Sequence, residues 1–126
     1  MAKKRFGVSI DSTLYSKLDA LAKKLGTERS TVVEEAIKNY INDLDHLSRE
    51  HHCCGLLIVE DPDIMAVERT LANYKDVILN YTHYHVGGRC ICTIMVYGSS
   101  TTVAKLYSQL SKVKSVNKRY IPLHND

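Results

Sequence analysis

Two alternating runs, Val77–Val86 and Arg89–Tyr97, meet at Gly87-Gly88, and this joint restricts the fold more than any other segment. A glycine pair between alternating runs marks a two-residue hairpin, because the favoured turn needs positive φ at both central residues. With those glycines as the turn, Val86 faces Arg89, His85 faces Cys90, Tyr84 faces Ile91 and His83 faces Cys92. Directly opposed side chains lie on the same side of a sheet. His83, His85, Cys90 and Cys92 are therefore expected on one face, and a one-residue slip would move the set apart.

The flanking segments extend the pattern. Gly55–Glu60 (GLLIVE) is a short apolar strand, and Asp61-Pro62-Asp63 is a turn. Ile64, Val67, Leu71 and Tyr74 form one helical stripe; Val103, Leu106, Tyr107 and Leu110 form another after Gly98-Ser99-Ser100. Val116–Leu123 closes as a strand. The order β-α-β-β-α-β is that of a ferredoxin-like sheet with two helices on one face, the order of an ACT-type ligand-sensing domain.

The four cysteines invite a stapled secreted fold. However, the basic start MAKKRFGVSIDS leads into alternation, with no long apolar run, so no secretory signal is expected. No stretch approaches eighteen apolar residues, so no membrane span is expected either. The expected location is the cytoplasm, where cysteines beside histidines serve as metal ligands or redox groups more often than as bridges.

Nitrogen and sulfur donors together suit nickel, zinc, cobalt or copper, and not magnesium or calcium. Residues two apart on a strand are separated by roughly 6.6 Å. Two cysteines barely span that gap, whereas His-x-His does so with ease. The expected ligands are His83, His85 and Cys90; Cys92 stands at the limit, as a fourth ligand or an outer group. His51-His52-Cys53-Cys54 is a candidate second metal site or redox switch. Adjacent cysteines rarely bridge each other, because the geometry strains the peptide between them. His46 and His124 read as solvated polar residues.

The first half has a different pattern. In RFGVSI (residues 5–10), Phe6, Val8 and Ile10 face one way while Arg5, Gly7 and Ser9 face the other. One short strand without a local partner calls for pairing with another chain. Asp11-Ser12 offers a helix N-cap, followed by Leu14, Leu18, Leu21, Ala22 and Leu25 on one stripe. Gly26 ends that helix, and Thr27 is positioned to cap a second one carrying Val32, Val33, Ala36, Ile37, Tyr40, Ile41 and Leu44. A strand and two helices in under fifty residues cannot bury a full core alone. The polar stretch 45–54 separates the patterned halves, giving expected domains at 1–48 and 55–126. Residues 1–50 carry nine Lys/Arg and eight Asp/Glu, and the only dense positive feature is Lys3, Lys4 and Arg5.

RFGVSID, the Leu-rich helix and Gly26-Thr27-Glu28-Arg29-Ser30 opening an apolar helix resemble the ribbon-helix-helix DNA-binding family. The resemblance implies two chains pairing their strands into a ribbon that enters the DNA major groove. Arg5, Gly7 and Ser9 would then face the bases. Lys3 and Lys4 would meet phosphate, as would the backbone N–H groups near Arg29 and Ser30.

Joined to a sensing domain with His-x-His and then Cys, this unit resembles the nickel-responsive repressors of the NikR family over nearly the whole chain. The resemblance implies an α+β chain, a tetrameric core of sensing domains flanked by two DNA-binding dimers, and repression of metal-uptake genes at a palindromic operator. It also implies square-planar nickel at a subunit interface, with His83, His85 and Cys90 as three ligands. The His85–Cys90 loop is one residue shorter than the usual pattern. The family's fourth ligand is a histidine of the neighbouring subunit, eleven residues before the first of the pair; this chain has Ala72 there. Water, another residue or Cys92 then completes the site, or the metal is zinc, cobalt or copper. An ACT-like regulator sensing a small organic effector is the alternative. An enzyme is not expected: no acid stands at a spacing that would orient a Cys90–His85 pair, and Gly87-Gly88-Arg89 lacks the helix a phosphate loop requires.

Overall fold

The computed structural model describes residues 2–123. Its contacts divide the chain into two compact units, with the division between Tyr40 and Ile41.

In the first unit, residues 2–10 form an exposed arm without regular structure. The strand expected at 5–10 needs a ladder partner, and a single copy supplies none. Helix α1 spans Ser12–Leu25 and α2 spans Arg29–Asp45. Asp11 occupies the N-cap position of α1 through its backbone, with no side-chain cap bond. Gly26, at φ 68°, ends α1. Its N–H donates to the Lys23 carbonyl at 3.1 Å, and the Thr27 N–H donates to the Ala22 carbonyl at 3.0 Å. This paired closure occupies Thr27. Glu28, rather than Thr27, therefore precedes α2, its carbonyl accepting from Thr31 and Val32. Ala22 is the one buried residue among the described residues of this unit. Phe6 and Val8 are 73% and 70% exposed, and Leu14, Leu21, Leu25, Ile37 and Tyr40 also face outward.

The second unit takes in the end of α2, residues 41–45, and then a 3-10 turn, His46–Ser48, whose His46 and Leu47 are buried. Strands β1 (His52–Glu60), β2 (Ile78–Val86), β3 (Arg89–Ser99) and β4 (Asn117–Pro122) form one sheet in the order β2-β3-β1-β4. All three pairings are antiparallel. Helices α3 (Ile64–Leu71) and α4 (Ser100–Leu110) are the crossovers. The expected β-α-β-β-α-β order is the observed one.

The core lies between sheet and helices: Val67 and Leu71 from α3, Val103, Leu106 and Leu110 from α4, against Cys53, Leu57, Ile94, Val96 and Tyr120. Each fully buried aliphatic side chain here contributes about 1.5–3 kcal/mol. Met95 and Tyr97 are exposed on the opposite face. Asp63 caps α3 by accepting from the Ala66 N–H at 3.2 Å. β1 begins three residues before the expected Gly55, because His52, Cys53 and Cys54 continue its in-out alternation. No helix among the described residues is long and apolar enough to cross a membrane.

Candidate metal centre

The hairpin forms in the expected register, with His83 opposite Cys92, Tyr84 opposite Ile91, His85 opposite Cys90 and Val86 opposite Arg89. Gly87 and Gly88 have φ of 57° and 80°, the left-handed pair that this turn demands. The His83 and His85 rings stand 5.5 Å apart, edge to face. Both histidines are exposed, Cys90 is half-buried and Cys92 is fully buried. Cys92 continues the inward row of Ile94 and Val96, which puts it on the helix-covered side of the sheet.

Two further groups join this face. The Tyr81 hydroxyl donates to Glu68 Oε2 at 3.2 Å and lies 3.4 Å from His83 Nδ1. Burial raises the Tyr81 phenol far above its usual range, with Cys92 and Glu68 adding to the shift. Burial, reinforced by Cys90, pushes the Cys92 thiol up to about 11. Tyr81 could have been singled out from the sequence, since it lies two residues before His83 on the same face.

Asp61 secures the far end of the set. Its carboxylate accepts from the Cys90 N–H at 2.8 Å and from Arg89 Nε at 3.2 Å. The Cys90 N–H and the Arg89 guanidinium hold this carboxyl below the usual range, Cys90 having the larger effect.

The polar run at 51–54 divides between two faces. His51 and Cys53 point inward, while His52 packs against Tyr97 with ring centroids 5.9 Å apart and Cys54 lies half-buried. His46, expected in solvent, is buried, because the 3-10 turn after α2 folds it against His51. His46, His51 and Cys53 are the one set of three such side chains, among the described residues, whose donor atoms all lie within 4.8 Å of one another. The hairpin donors are not gathered that closely. His124 lies outside the described residues.

Lys3, Lys4, Arg5 and Gly7 line one groove with Ser30, Thr31 and Glu34 at the start of α2. Ser9 is exposed just beyond it. Arg29 is directed elsewhere: its guanidinium bonds to Asp19 Oδ1 at 2.9 Å and lies 5.2 Å from the centre of the Tyr15 ring.

Residues 2–50 match the ribbon-helix-helix domain family, and residues 65–121 match the family described as the NikR C-terminal nickel-binding domain. The chain belongs to the NikR family. As a NikR-family protein it is a DNA-binding transcriptional regulator and not an enzyme. A "Putative nickel-responsive regulator" of Dictyoglomus turgidum is 28% identical, covering 94% of this chain and 93% of that one. One from Pyrococcus furiosus is also 28% identical, covering 89% and 86%. An "Uncharacterized transcriptional regulator" of Methanocaldococcus jannaschii is 24% identical, covering 86% and 88%. Among solved structures, an uncharacterized Thermotoga maritima protein, TM1266, aligns with a TM-score of 0.49 and 21% identity over 60% of this chain and all of that one. The nickel-binding match includes His83, His85, Cys90 and Cys92; His51 and Cys53 fall between the ribbon-helix-helix match and the NikR-type one.

Proposed function

We propose that this NikR-family chain couples nickel held by His83, His85 and Cys90 to the affinity of its arm for an operator. The observation that supports the reading is the β2–β3 register, in which two imidazoles and a thiol belong to one face. Their donor chemistry suits a borderline divalent ion. Nickel would supply a multidentate tie across the hairpin. Tyr81 orients His83, and Asp61 fixes the Cys90 backbone. Cys92, fully buried on the same face, is the fourth ligand or an outer group.

In this reading, residues 1–48 bind DNA and residues 55–126 sense metal, in a cytoplasmic protein. Two copies pair their arms, with Arg5, Gly7 and Ser9 toward the bases of the major groove and Lys3 and Lys4 on phosphate. The N–H groups near Arg29 and Ser30 give a second phosphate contact. The near absence of a core in one copy of the first unit supports pairing. Sensing domains join two such dimers into a tetramer that spans a palindromic operator and represses metal-uptake genes. Metal changes DNA affinity only through a difference in its binding to the two arrangements of the assembly.

A cleft of about 360 Å³, lined by Glu68, Leu71, Ala72, Lys75, Ile78 and Tyr81, supports a second reading. It opens where the resembling family has its fourth donor, and its size suits a small organic effector. Zinc, cobalt or copper in the hairpin is the other variant. Metal titration of the full chain by equilibrium dialysis, with operator binding followed in parallel, tests these readings. Loss of one bound nickel and of metal-dependent DNA binding in His85→Ala supports the proposal. Unchanged stoichiometry in that variant overturns it, and DNA binding indifferent to a chelator favours the organic effector.

A further inference from the structure

We propose that His46, His51 and Cys53 form a second metal site, for zinc, independent of the hairpin. The two sites lie at opposite ends of the sheet. Cys53 pairs with Gly98 on β3, whereas hairpin Cys92 pairs with Val59, six residues further along β1. That spacing is about 20 Å of strand.

Three features form the site. The first is the convergence of the donors, all within 4.8 Å of one another, with His46 8% and Cys53 0% exposed. The second is the separation of the imidazoles. His46 Nε2 and His51 Nε2 are 3.2 Å apart, and the rings meet at 89°. Two nitrogens bound to one tetrahedral zinc at 2.0–2.1 Å stand roughly 3.3 Å apart, so little rearrangement is needed. The third is the support behind the donors. His51 Nδ1 is 2.6 Å from the Arg49 carbonyl. A carbonyl only accepts, so Nδ1 carries the proton and the Nε2 lone pair faces the other donors. Metal-bound histidines are commonly fixed by such a backbone bond.

Ser100 in turn fixes that segment. It is fully buried; its Oγ donates to the Arg49 carbonyl at 2.5 Å and accepts from the His51 N–H at 3.1 Å, while its own N–H donates to the His51 carbonyl at 2.8 Å. Two imidazoles and a thiol select a borderline ion such as Zn²⁺ and reject Mg²⁺ and Ca²⁺. The bound ion ties the 46–48 turn to β1, and solvent or an added anion is left for the fourth position. The competing account is a buried imidazole pair with a hydrogen bond between the rings, closed to metal.

The test uses the full-length protein with the hairpin donors removed by His85→Ala and Cys90→Ser, stripped with chelator and titrated with Zn²⁺. Retention of one equivalent per chain is expected, with a rise in Tm. Co²⁺ in the same protein is expected to give the intense visible bands and near-ultraviolet thiolate charge-transfer band of a tetrahedral site. Adding His46→Gln or Cys53→Ala should abolish both signals. Cys53→Ala with an intact hairpin should still bind one equivalent there, which shows that the chain folds. Absence of the retained equivalent in the hairpin-deleted protein, or its persistence in the Cys53→Ala derivative, overturns the proposal without touching the hairpin reading.

Discussion

Asp61 and Cys90 bond to each other twice. The Asp61 N–H donates to the Cys90 carbonyl at 2.7 Å, and the Cys90 N–H donates to the Asp61 carboxylate at 2.8 Å. Asp61 takes a left-handed backbone, φ 47°, as the chain leaves β1. The reciprocal pair fixes the backbone of a proposed ligand from a neighbouring strand. Asp61→Ala should weaken nickel binding at the hairpin roughly tenfold, the scale of losing an outer support. Isothermal titration calorimetry checks this; unchanged affinity would show that the hairpin turn alone suffices.

Ser100→Ala should act on the other cluster. It removes the hydroxyl that holds Arg49 and His51, so zinc retained by the hairpin-deleted protein should be bound about 10–100-fold more weakly. Competition with a chromophoric chelator measures the change. Nickel affinity in the protein with an intact hairpin should stay within about twofold.

The arm carries apolar surface that one copy leaves exposed. Phe6→Asp with Val8→Asp should break the pairing of the arms, leaving chains joined through their sensing domains with a raised frictional ratio, and reduce operator affinity by more than tenfold. Sedimentation velocity and fluorescence anisotropy read the two effects. Lys3→Ala with Lys4→Ala should instead leave assembly intact and lower the log–log salt slope of DNA binding by about 2 for each bound chain, about 4 for each paired arm, one for each phosphate no longer neutralised.

Asp19 pairs with Lys23 one turn further along α1 at 3.2 Å and joins α1 to α2 through Arg29 at 2.9 Å. Lys23 foremost, then Arg29, holds its carboxyl below the usual carboxylate range. A carboxyl depressed in the folded state stabilises above the unfolded pKa and loses that contribution as pH falls through the folded one. The Tm advantage of wild type over Asp19→Asn should therefore be small and constant at pH 5–7 and decline on acidification below about 3.9, the unfolded value. Differential scanning calorimetry across that range is the check.

Gly55 has no room for a methyl group. A Cβ there would overlap Cε1 and the hydroxyl of Tyr120, which crosses it from β4. Gly55→Ala should cost about 1–3 kcal/mol in urea unfolding, since Tyr120 is buried and has little space to yield.

Local chemistry is enough for the hairpin. Two glycines free to adopt positive φ, between runs of period two, leave one low-energy register, and that register alone decides which of His83, His85, Cys90 and Cys92 share a face. The order of strands and helices follows likewise from hydrophobic periodicity, a property of neighbours in the chain. His46 is different. Nothing in DHLSREHH marks one histidine as buried; its place depends on a 3-10 turn folding onto β1 and on Ser100, 49 residues beyond His51, holding that turn in place. Asp61, Glu68 and Tyr120 also act on partners supplied by other strands and helices. Such pairings depend on distances across the packed sheet, and chain order does not encode them locally.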